Sequence, residues 1–197
     1  MPPAARRLAE CEIAVSIEWM THAYSIRKGR LSDLPLLGRI EVAAATLFPE
    51  SDLPAPLRHM ATEQKIFRAA VVAERLWVAC DAADNVVGFV LADEVGGLAY
   101  LEEIDVHPAH MRRGIGRRLI AQVIQWAEQH GYSALRLVTF AHLPWNAPYY
   151  AAQGFVVLDN ARIGEDYQQL IDEDAAVGID PARRVVMELR LPSGEQR

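Results

Sequence analysis

The chain has 197 residues, 51% of them hydrophobic and 23% charged, with a formal net charge of −6. That composition suits one globular domain with a substantial core and argues against a general nucleic-acid binder. Two cysteines, Cys11 and Cys80, make neither a disulfide framework nor a zinc-ligand spacing. No apolar run is long enough to span a bilayer, and MPPAARRLAE at the N-terminus lacks the apolar stretch of a signal peptide. The expected compartment is the cytoplasm, with no membrane and no nucleic-acid partner.

Residues 1–21 read as an N-terminal extension ahead of a domain over 22–197. Tyr24 to Arg27 is a short strand. Leu31-Ser32-Asp33 starts a helix: Ser32 or Asp33 is placed to cap it, and Pro35 fits its first turn. Leu34, Leu37, Ile40, Ala44 and Leu47 repeat with helical period, and Phe48-Pro49 ends the helix. Pro54 and Pro56 open a second helix through about Ile66. The two helices and their connection are expected to wall a substrate pocket, with Phe48 packed in the core.

Three strands follow in a meander, RLWVAC over 75–80, VVGFVLA over 86–92 and the stretch over 98–106, turned at Asp81–Asn85 and Val95-Gly96-Gly97. His107-Pro108 ends the third, because proline cannot donate to a ladder. Gly114 and Gly116 then permit close backbone approach, and Leu119, Ile120, Val123, Ile124 and Ala127 place a helix over 115–130. A glycine-rich loop feeding a helix N-terminus presents free N–H groups and a positive dipole end, a combination that binds phosphate. Arg112, Arg113, Arg117 and Arg118 add charge there. The loop has no Gly-Lys-Ser/Thr, and Leu119 stands where a dinucleotide-binding loop needs its third glycine.

ALRLVT over 134–139 is a buried-type strand, placed parallel to the one before the helix by the usual crossover. A short helix over 146–153, a strand over 155–158, a helix over 165–178 with an acidic, solvated face and a last strand over 184–191 complete the chain. His107 and His110 read as turn residues, since a metal site needs a third ligand. No metal is expected.

The run Met111-Arg112-Arg113-Gly114-Ile115-Gly116 resembles the Q/R-x-x-G-x-G/A loop of the GNAT N-acetyltransferase superfamily, with Met111 departing from the usual Gln or Arg. Tyr149-Tyr150-Ala151-Ala152-Gln153-Gly154-Phe155 resembles its second signature, an aromatic pair followed by Gly-Phe. The resemblance implies an α/β fold with a mixed, mostly antiparallel central sheet, one parallel pair at the cofactor site and flanking helices. It implies acetyl-CoA as co-substrate, an amine as acceptor, and a monomer or homodimer. A non-catalytic acyl-CoA sensor and an acyltransferase using another acyl-CoA are the rival readings.

The resemblance assigns roles to residues. The loop from Met111 to Gly116, with Arg112, Arg113, Gly114, Ile115 and Arg117, would hold the coenzyme A phosphates, and arginine suits phosphate because of its forked donors. Ile104, Asp105 and Val106 would pair with pantetheine like an added strand, a backbone N–H near Ile104 or Asp105 would serve the oxyanion, and Asn146 would bond the cofactor arm or simply cap its helix. An amine must lose a proton before attack, so a strand carboxylate is wanted as base. Glu102 and Glu103 are the two acids, and the likeness of YLEE to the YLED of polyamine acetyltransferases prefers Glu102. Tyr150 stands where the family has its general acid. Neither cysteine lies in a motif, so direct attack is expected, and Cys80 in its apolar strand reads as inert.

Overall fold

The computed structural model describes residues 23–192. The expected N-terminal extension over 1–21 lies outside the described residues. Seven strands form one sheet in the order β1-β2-β3-β4-β5-β7-β6: β1 Tyr24–Lys28, β2 Leu76–Asp81, β3 Val86–Val95, β4 Leu98–Val106, β5 Ala134–Phe140, β6 Val156–Val157 and β7 Arg184–Arg190. Every neighbouring pair is antiparallel except β4 and β5, which are parallel. The mixed sheet with one parallel pair expected from the sequence is the sheet observed.

The first helices are α1 Leu34–Ala45, α2 Gln64–Val72 and α3 Ile115–Gln129. Three shorter ones follow: α4 Ala147–Ala151, α5 Asn160–Ile163 and α6 Glu165–Ala176. α3 lies on one face of the sheet, its Leu119, Ile120 and Val123 clustering with Val90, Leu101, Leu135 and Met187. On the other face Leu37 and Ile40 of α1 and Phe67 of α2 cover Val78, Phe89 and Leu91. α6 covers the far half of that face through Tyr167 and Ile171, packed on Tyr100 and Val186. Burial of this kind is worth roughly 25 cal/mol per Å² of apolar surface and holds the layers together.

The acidic side of α6 points to solvent: Glu165, Asp166, Asp172 and Glu173 are exposed, and Asp174 instead pairs with Arg184 at 2.8 Å. Among the described residues no helix is long and apolar enough to cross a membrane.

Two expectations change. The second helix does not open at Pro54 and Pro56: these prolines carry only a single 3-10 turn at Leu57–His59, Met60 is extended, and α2 begins at Gln64. Asp33 does not cap α1 with its side chain. Its carboxylate turns back to the Arg27 guanidinium, at 2.7 and 3.0 Å, and to the Arg30 N–H. Phe48, half-buried, packs as expected against a small buried cluster of Phe140, Leu143 and Ile179, and it also lines a cavity, with its ring near that of Trp145. The four-residue α5 is an addition to the expected elements, with too few turns to leave a period in the sequence.

Candidate active site

The site is built by an irregularity in β4. Leu91 of β3 faces Glu103 and the next residue, Ala92, faces Leu101, so Glu102 is an extra residue, a β-bulge. Directly opposed residues of an antiparallel pair share a face. Leu101 and Ala92 lie on the α3 side, and beyond the bulge Ile104 and Val90 do so too. Glu103 and Asp105 are thereby turned to the α1 side, opposite Leu91 and Phe89. Were Glu102 instead paired as a regular strand residue, strict alternation would keep Leu101, Glu103 and Asp105 on one face.

β4 and β5 pair only through Ala99 with Leu135 and Tyr100 with Arg136. Beyond that point they part, and a cavity of about 260 Å³ opens, lined by residues of α1, of the α1–α2 connection, of both strands and by Tyr150. Its charged lining consists of Glu41, Glu102, Glu103 and Asp105, with no Lys, Arg or His among its lining residues. Glu41 accepts from the Thr62 N–H on both carboxylate oxygens, at 3.0 and 2.8 Å, and from the Thr62 hydroxyl at 2.9 Å. The same hydroxyl lies 3.3 Å from Glu103. Thr62 thus ties the acid of α1 to the acid of β4.

Burial raises the pKa of Glu103 well above the usual carboxylate range, reinforced by the charges of Asp105 and Glu41. Burial also pushes Asp105 up to about 7, while its hydrogen bond with Glu103 acts in the opposite sense. The two behave as one unit sharing a proton. Glu102, exposed at the bulge, is also raised, by partial desolvation and by Asp93, against a lowering from Arg75.

Tyr150 is 6% exposed and lines the cavity, and its hydroxyl has no hydrogen bond to a described residue. Burial, with Tyr149 and Asp105 nearby, holds its phenol far above the ordinary range, so it is a neutral donor at any physiological pH. Asn146 does not cap α4: its Nδ2 donates to the Thr139 hydroxyl at 2.9 Å, and its buried Oδ1 has no partner among the described residues. A buried acceptor left open is costly, and a donor from outside the chain would satisfy it.

The loop from His107 to Gly114 leads into α3. A 3-10 turn over Pro108–His110 takes up the Met111 N–H, which bonds the Pro108 carbonyl at 3.3 Å. Arg112 and Gly114 then adopt left-handed backbone, with φ of 59° and 75°. From Arg112 to Arg117 no backbone N–H meets an acceptor among the described residues, and the next, from Arg118, closes on the Gly114 carbonyl at 3.2 Å. This is a row of donors at a helix start. Arg112 and Arg117 are exposed beside it. Arg113 and Arg118 are engaged with β1: Arg113 donates to the Tyr24 hydroxyl at 2.6 Å and Arg118 to the Tyr24 carbonyl at 2.9 Å. The Tyr24 hydroxyl also lies 3.0 Å from Nδ1 of His110, which accounts for that histidine. His107 Nδ1 accepts from the Ala109 N–H.

The predicted residues therefore fall into two connected groups. Glu102, Glu103, Asp105 and Tyr150 meet at the cavity, and Arg112, Gly114, Ile115, Gly116 and Arg117 make the donor row, with Ile104 and Val106 on the strand between. Met111 spends its N–H inside the turn. Sequence reasoning missed Glu41 and Thr62. A signal for Glu41 is present: it stands four after Leu37 and three before Ala44, an acid in the buried stripe of α1.

The same architecture occurs in solved structures. An acetyltransferase of the GNAT family from Staphylococcus aureus shares 14% identity at a TM-score of 0.67, with 86% of this chain and 100% of that one covered. The PaiA N-acetyltransferase of Thermoplasma acidophilum, in complex with coenzyme A, shares 18% at 0.62, covering 85% and 99%. The ribosomal-protein-S18-alanine N-acetyltransferase of Escherichia coli shares 23% at 0.57, covering 88% and 98%. The model of the acetyltransferase (GNAT) family matches residues 40–155, the span that holds the second half of α1, the bulged strand, the donor row and Tyr150. The chain belongs to the acetyltransferase (GNAT) family.

Proposed function

We propose that the chain transfers an acetyl group from acetyl-CoA to a primary amine by direct attack, without an acyl-enzyme. One observation carries this reading. The end of β4, freed from β5, lines the acid cavity and leads through the Pro108–His110 turn into the row of free N–H groups. The coenzyme A complex of the Thermoplasma acidophilum structure supports the donor. Among the described residues no cysteine lines the cavity, and Cys80 is buried in the cluster under α1 and α2, which supports direct attack.

The residues present fit the donor. The N–H groups from Arg112 to Arg117, with the Arg112 and Arg117 guanidinium groups, suit its phosphates. The open Oδ1 of Asn146 suits an amide N–H of its arm, and the edge of β4 over Ile104, Asp105 and Val106 that faces away from β3, left free by β5, suits the rest of that arm. The acceptor enters as R–NH3⁺. The Glu103–Asp105 pair, once its shared proton has left to solvent, takes one proton from it. The nitrogen lone pair forms a C–N bond to the acetyl carbon, the carbonyl pair shifts to oxygen and returns, and the C–S bond breaks. Tyr150 donates its proton to the departing thiolate and regains one from the new amide nitrogen. The sum is R–NH3⁺ plus acetyl-CoA giving the amide, CoA thiol and H⁺. Glu103 is the better base of the two acids, because the bulge turns it into the cavity beside Asp105.

Calorimetry with acetyl-CoA, then thiol release across a panel of amines, tests the reading. Binding and amine-dependent release are expected, with kcat falling by about a hundredfold or more in Glu103→Gln and Tyr150→Phe, and less in Glu102→Gln. A Glu102→Gln loss as deep as that of Glu103→Gln would move the base to Glu102. No binding of acetyl-CoA would overturn the proposal.

A further inference from the structure

We infer that the acceptor is a small primary ammonium ion on an apolar stem without a carboxylate, and that Glu41 is the residue that selects it. The inference rests on the amine-acetylation reading above and goes further in naming the acceptor class. Two independent observations point into the same space. The first is the acid set: Glu41, Glu102, Glu103 and Asp105 line the cavity with no Lys, Arg or His in its lining, and Arg75 acts only on Glu102 at the rim. The second is Tyr150, 6% exposed, whose hydroxyl opens on that cavity without a partner among the described residues. Carboxylates gathered where no protein cation reaches are unfavourable until a cation from outside arrives. A phenol hydroxyl left open asks for a hydrogen-bonding ligand at the same place.

The rest of the lining sets the remainder of the molecule. Ala45, Phe48, Leu53, Leu57 and Met60 face the acids from α1 and the α1–α2 connection. They offer apolar contact and no donor side chain for a carboxylate on the acceptor. The cavity volume of about 260 Å³ is room for roughly nine waters at the ~30 Å³ each takes in the liquid, which suits a short stem.

Glu41 is suited to selection because it is held in place. Both oxygens are fixed by Thr62, and the Thr62 hydroxyl reaches on to Glu103. Its charge acts on the Glu103–Asp105 pair, raising both. Glu41 thus attracts the ammonium ion and keeps the pair basic enough to take a proton from it. The titratable groups that face this pair are Glu41 from α1, Glu102 at the bulge and Tyr150 from α4, with Arg75 and Asp93 acting on Glu102.

The test compares pentylamine with norleucine, which is the same stem bearing a carboxylate, in thiol-release assays at saturating acetyl-CoA, after calorimetry has established acetyl-CoA binding. Wild type is expected to favour pentylamine by about tenfold or more in kcat/KM, equivalent to about 1.4 kcal/mol. Glu41→Gln is expected to raise the pentylamine KM by about tenfold, with a smaller change in kcat. It should also move the acid limb of the pH profile to lower pH, a shift that a purely structural role would not produce. Norleucine used as well as pentylamine overturns the inference, as does turnover of no amine in the set, or a Glu41→Gln variant with KM and acid limb both unmoved. The amine comparison needs wild type alone and stands even if the variant does not fold. Failure of acetyl-CoA to bind strikes the underlying reading, whereas binding with turnover of carboxylate-bearing amines strikes only this inference.

Discussion

The Tyr149 hydroxyl lies over Gly116, so close that a Cβ on this glycine would stand 2.8 Å from it. Gly116 is required by that approach, and its own backbone is ordinary helix. Gly116→Ala should therefore destabilise the start of α3 by about 1–3 kcal/mol, the usual cost of overpacking, and weaken acetyl-CoA binding. Adding Tyr149→Phe should restore much of both, because the nearest ring carbon, Cζ, is at 3.6 Å, an ordinary contact. Thermal melts and calorimetry on the two single variants and the double variant measure the coupling.

Gly114 is required for a different reason. Its φ is 75° and nothing lies within 4 Å of a Cβ built there. Gly114→Ala should cost on the order of 1–3 kcal/mol through backbone strain alone. Gly114→Asn should cost less, since asparagine tolerates the left-handed region. Comparing the two substitutions by thermal melts separates strain from crowding.

The Glu103–Asp105 pair sets a pH dependence of stability. Asp105 is raised from its ordinary value to about 7, so the folded state holds a proton there that the unfolded chain has already lost. A raised acid favours folding below its unfolded value, and that contribution is lost as pH rises through about 7. Asp105→Asn should therefore gain stability relative to wild type as pH rises from about 4 to about 8, with the difference levelling above that range. Melts of both proteins across the range give the difference directly. A difference that shrinks with rising pH would contradict the placement of the proton.

Cys80 is fully buried and its thiol is pushed up to about 11, first by burial. Because the thiolate is the reactive form, iodoacetamide at neutral pH should leave the Cys80 peptide unlabelled in folded protein and label it fully in denaturant. Peptide mass mapping reads the outcome, and labelling in the folded state would show that β2 opens.

The α1–α2 connection that walls the cavity is fastened from outside. Asp52, 2% exposed, accepts from Arg183 at 2.5 Å and lies 3.2 Å from His142. Arg183→Ala should speed amide exchange over residues 49–58 and raise the acceptor KM several-fold, with kcat less affected, because segments with few remaining contacts open locally. Exchange measured by mass spectrometry, beside steady-state kinetics, checks both.

The sheet, the crossover from β4 through α3 to β5, and the donor row were legible in the sequence because each rests on local pattern: alternation, a helical stripe, glycines before a helix. Other features depend on what a residue meets at long range. Arg113 looks like a phosphate ligand in sequence, yet β1 brings Tyr24 against it from 89 residues away. Thr62 carries no motif, and only the packing of the α1–α2 connection over β4 sets it between Glu41 and Glu103. The bulge leaves only a faint trace, a change of phase from apolar Leu101 to apolar Ile104 and Val106 across the adjacent acids Glu102 and Glu103. Its extra residue appears only when Leu91 and Ala92 are matched to their partners.

That extra residue has a consequence for how the site can be lost or altered. The partition of β4 into an apolar side and an acidic side depends on the number of residues in the strand as well as on which residues they are. Removing Glu102 would leave Leu101 followed directly by Glu103, and plain alternation would then keep Glu103 and Asp105 opposite Leu91 and Phe89, with Ile104 on the side of Leu101. A single-codon deletion at that one position would thus straighten the strand and leave both acids at the cavity. One residue added between Glu103 and Ile104 would instead turn Asp105 to the side of Leu101, although every original amino acid is kept.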